Sequence, residues 1–163
     1  MRCQVEGEGL DHHGITRFGN GIDGVFLEGA FRVNVHHVDD AALALAQFGG
    51  SVKCYINDPL IHEKAKSNGI TRAKVAVDMA VDDMQDGIYV VGNAPTALLR
   101  LMELIAAGQA RPALVVGLPV GFVNAAESKA LLVEMDTPFI SNVGRKGGSN
   151  IAASVVNALI LLA

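Results

Sequence analysis

The feature of this sequence that most constrains its fold is a strand–glycine loop–helix unit that occurs three times in succession. In the first unit, the β-forming residues 89–91 precede Gly92, which permits a turn that a larger residue would strain. Asn93 is a candidate helix cap, and Pro95 suits the first turn of a helix. Apolar residues then recur at helical spacing and form one face: Leu98, Leu101, Met102 and Ile105.

The second and third units have strands at 113–116 and 139–143, followed by Gly117-Leu-Pro-Val-Gly121 and Gly144-Arg-Lys-Gly-Gly148. A helix is predicted after each loop. Successive units of this kind favour a parallel sheet with right-handed crossover connections. In such sheets, ligands bind outside the carboxyl ends of the strands. We therefore expect the loops that begin at 92, 117 and 144 to surround a binding site.

The rest of the chain supplies further elements of the same kind. Strands are predicted at 31–35 and 52–56. Asp58-Pro59 is a strong helix start, and Thr71-Arg72 begins another helix. The whole chain, residues 1–163, is therefore predicted to form a single α/β domain. Its architecture is a three-layer α/β/α arrangement around a mostly parallel sheet of about five or six strands.

Composition excludes several classes of function. Charged residues make up 18% of the chain and the net charge is −4, which argues against a non-specific nucleic-acid binder. Trp is absent and aromatic residues are 5%, so stacking platforms for single strands are not expected. Cys3 and Cys54 do not make a disulfide framework, and the first residues do not resemble a signal peptide. Both observations predict a cytoplasmic protein with reduced thiols.

The C-terminal residues 151–163 are strongly apolar. This run is shorter than the roughly 20 residues that a membrane-spanning helix needs, so no membrane association is predicted. We expect a fully buried helix instead, and a subunit interface is one place where such a helix could be buried.

Gly144-Arg-Lys-Gly-Gly-Ser149 carries the most suggestive chemistry. Arg145 and Lys146, together with accessible backbone N–H groups, come directly before a predicted helix N-terminus, which favours an anionic ligand. A basic, solvated turn is the alternative. Neither the Walker pattern nor the dinucleotide glycine pattern is present, so a nucleoside triphosphate or NAD is not expected. Arg72 could bind a carboxylate through two hydrogen bonds or form a surface ion pair.

Two of the histidines, His36 and His37, lie at a predicted strand end. An acid or base that works at neutral pH is most often a histidine, and a strand end is a better position for one than the helix that carries His62. A structural role is the alternative for each. Neighbouring residues of a strand point to opposite faces, so a metal pair at this strand end is not expected, and no metal site is predicted.

Two further patterns have simple structural explanations. Asn124 and Glu127 have the spacing of a capping box at the start of a helix. Gly-Ile-Thr-Arg occurs at 14–17 and again at 69–72. The repeat is either a coincidence in a glycine-rich chain or a glycine stop followed by a hydroxyl and a guanidinium directed into a cleft.

Three of the motifs occur in a specific order and spacing: Gly92-Asn-Ala-Pro-Thr-Ala-Leu98, Gly117-Leu-Pro-Val-Gly-Phe-Val-Asn-Ala-Ala-Glu-Ser-Lys129 and Gly144-Arg-Lys-Gly-Gly-Ser149. Together they resemble the precorrin-8X methylmutase family, the cobalt-precorrin-8 isomerases of corrin biosynthesis. The resemblance extends upstream through Thr71-Arg72 and Asp58-Pro59 and covers residues 51–163. Residues 1–50 diverge from the family's pattern.

The resemblance implies an α/β/α homodimer with the active site at the subunit interface. It implies that a methyl group moves from C11 to C12 of a tetrapyrrole, precorrin-8X or its cobalt form, to give hydrogenobyrinate or cobyrinate without a cofactor. A histidine is expected to protonate the macrocycle, and His36 is the best match for it here. The residues expected to bind the substrate are Thr71, Arg72, Gly92, Asn93, Gly117, Arg145, Lys146 and Gly147.

An alternative function stays open at this point. The family segment that carries the histidine, Val-His-Ala-x-Gly, has only Val35-His36-His37-Val38-Asp39 as its counterpart. A non-catalytic tetrapyrrole-binding relative of the same fold is therefore the second hypothesis, and an unrelated anion-binding α/β domain is a more distant third.

Overall fold

The computed structural model of the chain describes residues 17–18, 32–34, 51–56 and 58–162. Its strands form one six-stranded sheet in the order β1-β6-β5-β4-β2-β3. In chain order they are β1 Arg17–Phe18, β2 Arg32–Asn34, β3 Ser51–Lys53, β4 Ile88–Val91, β5 Leu114–Gly117 and β6 Phe139–Ser141. Neighbouring strands are parallel except β1 and β6, which are antiparallel. The predicted α/β fold with a mostly parallel sheet is confirmed.

Helices connect these strands and cover the sheet. Those in the described part of the chain are α1 Pro59–Asn68, α2 Arg72–Met79, α3 Pro95–Ala106, α4 Ala125–Val133 and α5 Ser149–Leu162, with a 3-10 turn at Val81–Asp83. Strand β4 is buried along its whole length. A strand buried on both faces needs a helical layer on each side, as the continuous apolar run at 89–91 predicts.

The layers follow from the alternation of side chains along β4. Tyr89 and Val91 pack in a core cluster with residues of α2, α3 and α4. Ile88 and Val90 point to the opposite face and pack in a second cluster with residues of α5. The sheet therefore has α2, α3 and α4 on one face and α5 on the other, which is the predicted three-layer arrangement. Helix α1 packs on α2 in a third, smaller cluster.

The ends of α1 and α2 form as their residue types predict. The Asp58 carboxylate accepts a hydrogen bond of 2.9 Å from the N–H of Leu60, and α1 ends at Asn68, where Gly69, with a φ of 63°, is the C-cap. The Thr71 hydroxyl accepts a hydrogen bond of 3.3 Å from the N–H of Lys74 and so caps α2. Local sequence chemistry determines both of these helix starts.

Two predicted caps are wrong. Helix α3 begins at Pro95 as expected, but Ala94 is its N-cap and no side chain caps it. Asn93 instead uses its backbone carbonyl to accept a hydrogen bond from Val120 N. Asn124 is the N-cap of α4, but its φ of 61° is left-handed and its side chain makes no capping bond. A capping box needs an extended N-cap residue, so the pattern with Glu127 does not form one.

Helix α5 corrects another expectation, because it is buried along one stripe only. Ala152, Val156 and Ile160 are buried against the sheet. Leu161 and Leu162 are 87% and 82% exposed, since they lie off that stripe. In the part of the chain that the structure describes, no helix is both long and apolar enough to span a membrane.

Candidate functional site

Three loops leave the sheet at one edge. Strands β4, β5 and β6 are parallel neighbours, so their carboxyl ends lie side by side. We call residues 92–94 the first loop, residues 118–124 the second loop and residues 142–148 the third loop. Each connects the end of one of these strands to the helix that follows it. This is the edge at which ligands bind in parallel α/β sheets.

The first and second loops are joined through their backbones. The N–H of Leu118 donates a hydrogen bond of 2.8 Å to the carbonyl of Val91. Two residues later, the N–H of Val120 donates one of 3.3 Å to the carbonyl of Asn93. Asn93 itself is exposed, so its amide side chain is accessible from the solvent side of the edge.

The second and third loops are joined more closely still. The N–H of Gly121 donates a hydrogen bond of 3.3 Å to the carbonyl of Arg145, and the N–H of Gly148 donates one of 3.0 Å to the carbonyl of Leu118. A β-carbon on Gly147 would lie 2.3 Å from that same Leu118 oxygen. Only glycine permits this approach. Together with the bonds between the first and second loops, these contacts join all three loops into one continuous rim at a single sheet edge, where the sequence predicted that they meet.

Gly92 and Gly117 are buried, and their lack of a side chain has a packing explanation. A β-carbon on Gly92 would lie 2.7 Å from Cα of Ser149, at the start of α5. One on Gly117 would lie 2.6 Å from a methyl group of Leu132 on α4. The two glycines thus let helices on both faces approach the ends of the strands. Their assignment as substrate-binding residues stays a prediction.

Two cations project from the third loop. Arg145 and Lys146 are exposed, and neither forms a salt bridge with a carboxylate of the described residues. The guanidinium carbon of Arg145 lies 5.7 Å from the ring centroid of Phe122 on the second loop. Phe122 is itself 86% exposed. This contact places the guanidinium beside the second loop, and no carboxylate of the described residues competes with an anion for its N–H groups.

Thr71 and Arg72 lie at the end of the rim beyond the first loop. The Thr71 hydroxyl is 3.5 Å from the hydroxyl of Thr96, which lies in the first turn of α3. Arg72 Nη1 donates a hydrogen bond of 3.0 Å to Nε2 of His62. A guanidinium can only donate, so His62 Nε2 is the acceptor in this contact. The alternative of a surface ion pair at Arg72 is not formed among the described residues.

The sequence interpretation missed Lys129 as a member of this site. Lys129 is 2% exposed and lies beneath the third loop. Its Nζ donates hydrogen bonds of 2.9 Å to Oδ1 of Asn142 and 2.6 Å to the carbonyl of Lys146. Burial lowers the pKa of the Lys129 ammonium from its ordinary value. A signal was present, because Lys129 shares helical spacing with the buried Ala125, Ser128 and Leu132.

Ser141 and Thr96 were also missed. Ser141 Oγ donates a hydrogen bond of 2.6 Å to the carbonyl of Gly117 and so ties the ends of β5 and β6 together. Thr96 adds a second hydroxyl beside Thr71 at the start of α3. Neither residue stands out in the sequence, since the partner of each is distant along the chain.

The predicted acid lies outside the described residues. His36, His37 and residues 14–16 of the Gly-Ile-Thr-Arg repeat are all among the residues that the structure does not describe. Strand β2 is parallel to β4, with Asn34 opposite Tyr89, so its end is at the edge where the first loop begins. Arg17 in β1 has its Cα opposite that of Ser141, next to the third loop.

Among the described residues, no group of His, Cys, Asp or Glu is placed to hold a metal ion.

Comparison with known proteins gives consistent matches. The family model described as precorrin-8X methylmutase matches residues 38–162. The cobalt-precorrin-8 methylmutase of Priestia megaterium is 49% identical over 119 residues, which are 73% of this chain and 53% of that protein. The one from Synechocystis sp. is 39% identical over 155 residues, 94% of this chain and 68% of that protein.

A solved structure matches as well. The crystal structure of a precorrin-8X methylmutase from Thermus thermophilus aligns with a TM-score of 0.75 at 38% identity and covers 90% of this chain and 75% of that one. The chain spans about half the length of two of the curated relatives that it matches, 53% of the Priestia megaterium protein and 54% of the Salmonella typhimurium one.

Proposed function

This chain belongs to the precorrin-8X methylmutase family, and we propose from that premise that it is an isomerase of corrin biosynthesis. Its substrate is precorrin-8X or the cobalt form, and the reaction moves a methyl group from C11 to C12 to give hydrogenobyrinate or cobyrinate. The bond from the methyl carbon to C11 breaks and a bond to C12 forms. The product is an isomer of the substrate, so the balance of atoms and electrons requires no co-reactant.

The observation that carries this proposal is the continuous rim formed by the three loops. Backbone hydrogen bonds join the first loop to the second and the second to the third. The cations on the third loop have no described carboxylate partner. A corrin precursor carries many carboxylates around a large ring. A rim that carries two exposed cations and the N-terminus of α5 supports the binding of such a polyacid.

We assign roles along the rim as follows. Arg145 and Lys146 bind substrate carboxylates through charge-assisted hydrogen bonds. Thr71 and Arg72 bind the substrate at the other end, beside the first loop. The glycine positions let the backbone approach the ligand or the neighbouring loop without a side chain between them: Gly92, Gly117 and Gly147. The Asn93 side chain is an additional donor and acceptor for the substrate.

The proposed acid is His36, which protonates the macrocycle before the methyl group moves and takes the proton back afterwards. A histidine suits this task because its ordinary pKa lies close to neutral pH. Strand β2 supports the assignment by its direction alone, since it ends at the same sheet edge as the first loop.

We also propose that the protein is a cytoplasmic homodimer with the site at the subunit interface. Exposed apolar residues near the rim and on α5 support an interface: Phe122, Val123, Val143, Leu161 and Leu162. Cys54 is exposed as a free thiol, which suits a reducing compartment. Light scattering of the purified protein tests the dimer, and a monomer at micromolar concentration contradicts it.

The proposed activity is tested by incubating the purified chain with precorrin-8X and following the absorption spectrum. Multiple turnovers to hydrogenobyrinate are expected. Stoichiometric binding without conversion favours the alternative of a non-catalytic tetrapyrrole-binding relative. His36→Ala is expected to bind the product but to lose turnover, while the neighbouring variant His37→Ala retains it. Loss of turnover in His37→Ala alone would transfer the role of acid to His37.

A further inference from the structure

Lys129 is a buried cation that the proposed chemistry does not use directly. It lies on α4 and is 2% exposed, yet no carboxylate of the described residues pairs with it. Its hydrogen-bond partners are a neutral amide and a backbone carbonyl. Burial of an ammonium without an opposite charge costs free energy of desolvation, so packing alone does not explain a lysine at this position.

The contacts of Lys129 converge on the third loop. Its Nζ lies 2.9 Å from Oδ1 of Asn142 and 2.6 Å from the carbonyl oxygen of Lys146. Nδ2 of Asn142 donates a further hydrogen bond of 2.9 Å to the same Lys146 carbonyl. Lys129 thus connects the first residue of the third loop to its fifth residue, and Arg145 lies inside the segment that is held.

The consequence reaches the residues on either side of this segment. The carbonyl of Arg145 accepts from the N–H of Gly121, so the held segment also fixes the second loop. After Lys146 the chain passes Gly147, which is in backbone contact with Leu118 and Pro119. One buried side chain therefore supports the part of the rim that carries both exposed cations and the start of α5.

The charge of Lys129 has a second effect, which is to raise the positive potential at the third loop. A neutral side chain of similar length would fill the same space without the cost of desolvation. An ammonium that none of the described carboxylates neutralises raises the positive potential on the loop above it, and this effect is stronger in the protein interior than in water. Removal of the charge is thus expected to weaken attraction of anions even if the loop keeps its shape.

We propose that Lys129 is a positioning residue for the carboxylates of the tetrapyrrole, because it holds the third loop and supplies a positive charge behind it. The identity of the ligand rests on the proposed function, whereas the support of the third loop rests on the contacts of Lys129 alone. Experiments can therefore test the support of the loop and the binding of the tetrapyrrole separately.

The first test compares Lys129→Met with Lys66→Met, which removes a lysine from the exposed last turn of α1. In the Lys129→Met variant, amide hydrogen exchange in residues 142–148 is expected to accelerate by about tenfold or more, as for the loss of a charge-assisted hydrogen bond. KM for the tetrapyrrole is expected to rise by about tenfold with kcat little changed. A merely structural defect lowers the active fraction and leaves KM unchanged, and that result overturns the proposal.

A second variant keeps the test decisive if Lys129→Met does not fold. Asn142→Ala removes one acceptor of Lys129 but leaves the charge in place, so faster exchange with a smaller rise in KM is expected. Unchanged exchange in both variants overturns the positioning role, whatever the activity. If the wild-type protein neither converts nor binds the tetrapyrrole while the exchange effect persists, the proposed function fails and the support of the loop by Lys129 remains.

Discussion

Gly147 lies against the backbone of Pro119, and a β-carbon on Gly147 would come within 2.4 Å of the Pro119 carbonyl oxygen. The neighbouring Leu118 oxygen would be closer still, at 2.3 Å. Both obstacles are backbone atoms directly after a buried strand, so they cannot move as a flexible side chain would. The second and third loops therefore depend on glycine at this position for their contact.

Gly147→Ala is expected to separate these two loops. The added methyl group overpacks the contact and costs about 1–3 kcal/mol of unfolding free energy. Because the rim opens between Leu118 and the third loop, KM for the tetrapyrrole rises as well. Gly108→Ala is the control, since Gly108 has open space around it and only its left-handed φ of 69° to strain. Urea unfolding and steady-state kinetics measure both effects, and an unchanged KM in the Gly147→Ala variant would contradict the account.

Arg145→Ala is expected to weaken substrate binding without destabilising the fold. Loss of one hydrogen bond to a charged group costs about 1.5–3 kcal/mol, which corresponds to a rise of between ~10-fold and ~100-fold in KM. Stability changes by less than about 1 kcal/mol, because the side chain is exposed and contacts chiefly Phe122. Arg111→Ala, whose exposed ion pair with Asp86 lies at the opposite sheet edge, is the matched control. Equal KM values for the two variants would remove Arg145 from the site.

Thr71 caps α2 and is proposed to bind the substrate, and a pair of substitutions can separate these two roles. Thr71→Ala removes the cap of α2 and costs about 1 kcal/mol of stability. Thr71→Asp keeps the cap, since a carboxylate accepts from Lys74 N as well as a hydroxyl does. Its negative charge repels the substrate's carboxylates, so weaker tetrapyrrole binding at nearly wild-type stability is expected. Product titration followed by absorption provides the measurement, and tight binding by the Thr71→Asp variant places Thr71 outside the site.

Stability is expected to depend on pH through Lys129. Burial lowers the pKa of this ammonium below the ordinary value of 10.5, so the unfolded chain holds the proton more tightly than the folded chain. The contribution of Lys129 to the unfolding free energy therefore increases as the pH rises from the lowered pKa toward 10.5. The unfolding free energy of wild type minus that of Lys129→Met is expected to grow over this range. A difference that shrinks with rising pH has the wrong sign for a lysine whose pKa is lowered by burial.

Local patterns predicted much of the fold correctly because local chemistry determines those features. Asp58, Thr71 and Gly69 occupy the helix ends that their residue types favour. The apolar run at 89–91 lies within β4, a strand that is covered on both faces, and the three glycine loops meet at one edge because the strands before them are parallel. Because these strands are parallel neighbours, the loops that follow them lie at the same edge of the sheet.

The features that sequence reasoning missed depend on contacts between distant residues. Asn93 has the residue type of a helix cap, but its carbonyl accepts a hydrogen bond from Val120 N, and Ala94 is the N-cap of α3. In the sequence, Lys129 resembles an ordinary helix residue. Its contact with the third loop is visible only in the folded chain. Leu161 and Leu162 were expected to be buried, yet α5 turns only one stripe toward the sheet. The roles of His36 and of the rim residues in binding and catalysis stay predictions.

The measurement that tests the central claim most directly is amide hydrogen exchange of the protein with and without hydrogenobyrinate. If the three loops form one carboxylate-binding rim, exchange slows together in residues 92–94, 118–124 and 142–148. Exchange in residues 84–87, at the opposite edge of the sheet, stays unchanged. Protection confined to a single loop, or found only away from these loops, would contradict the account.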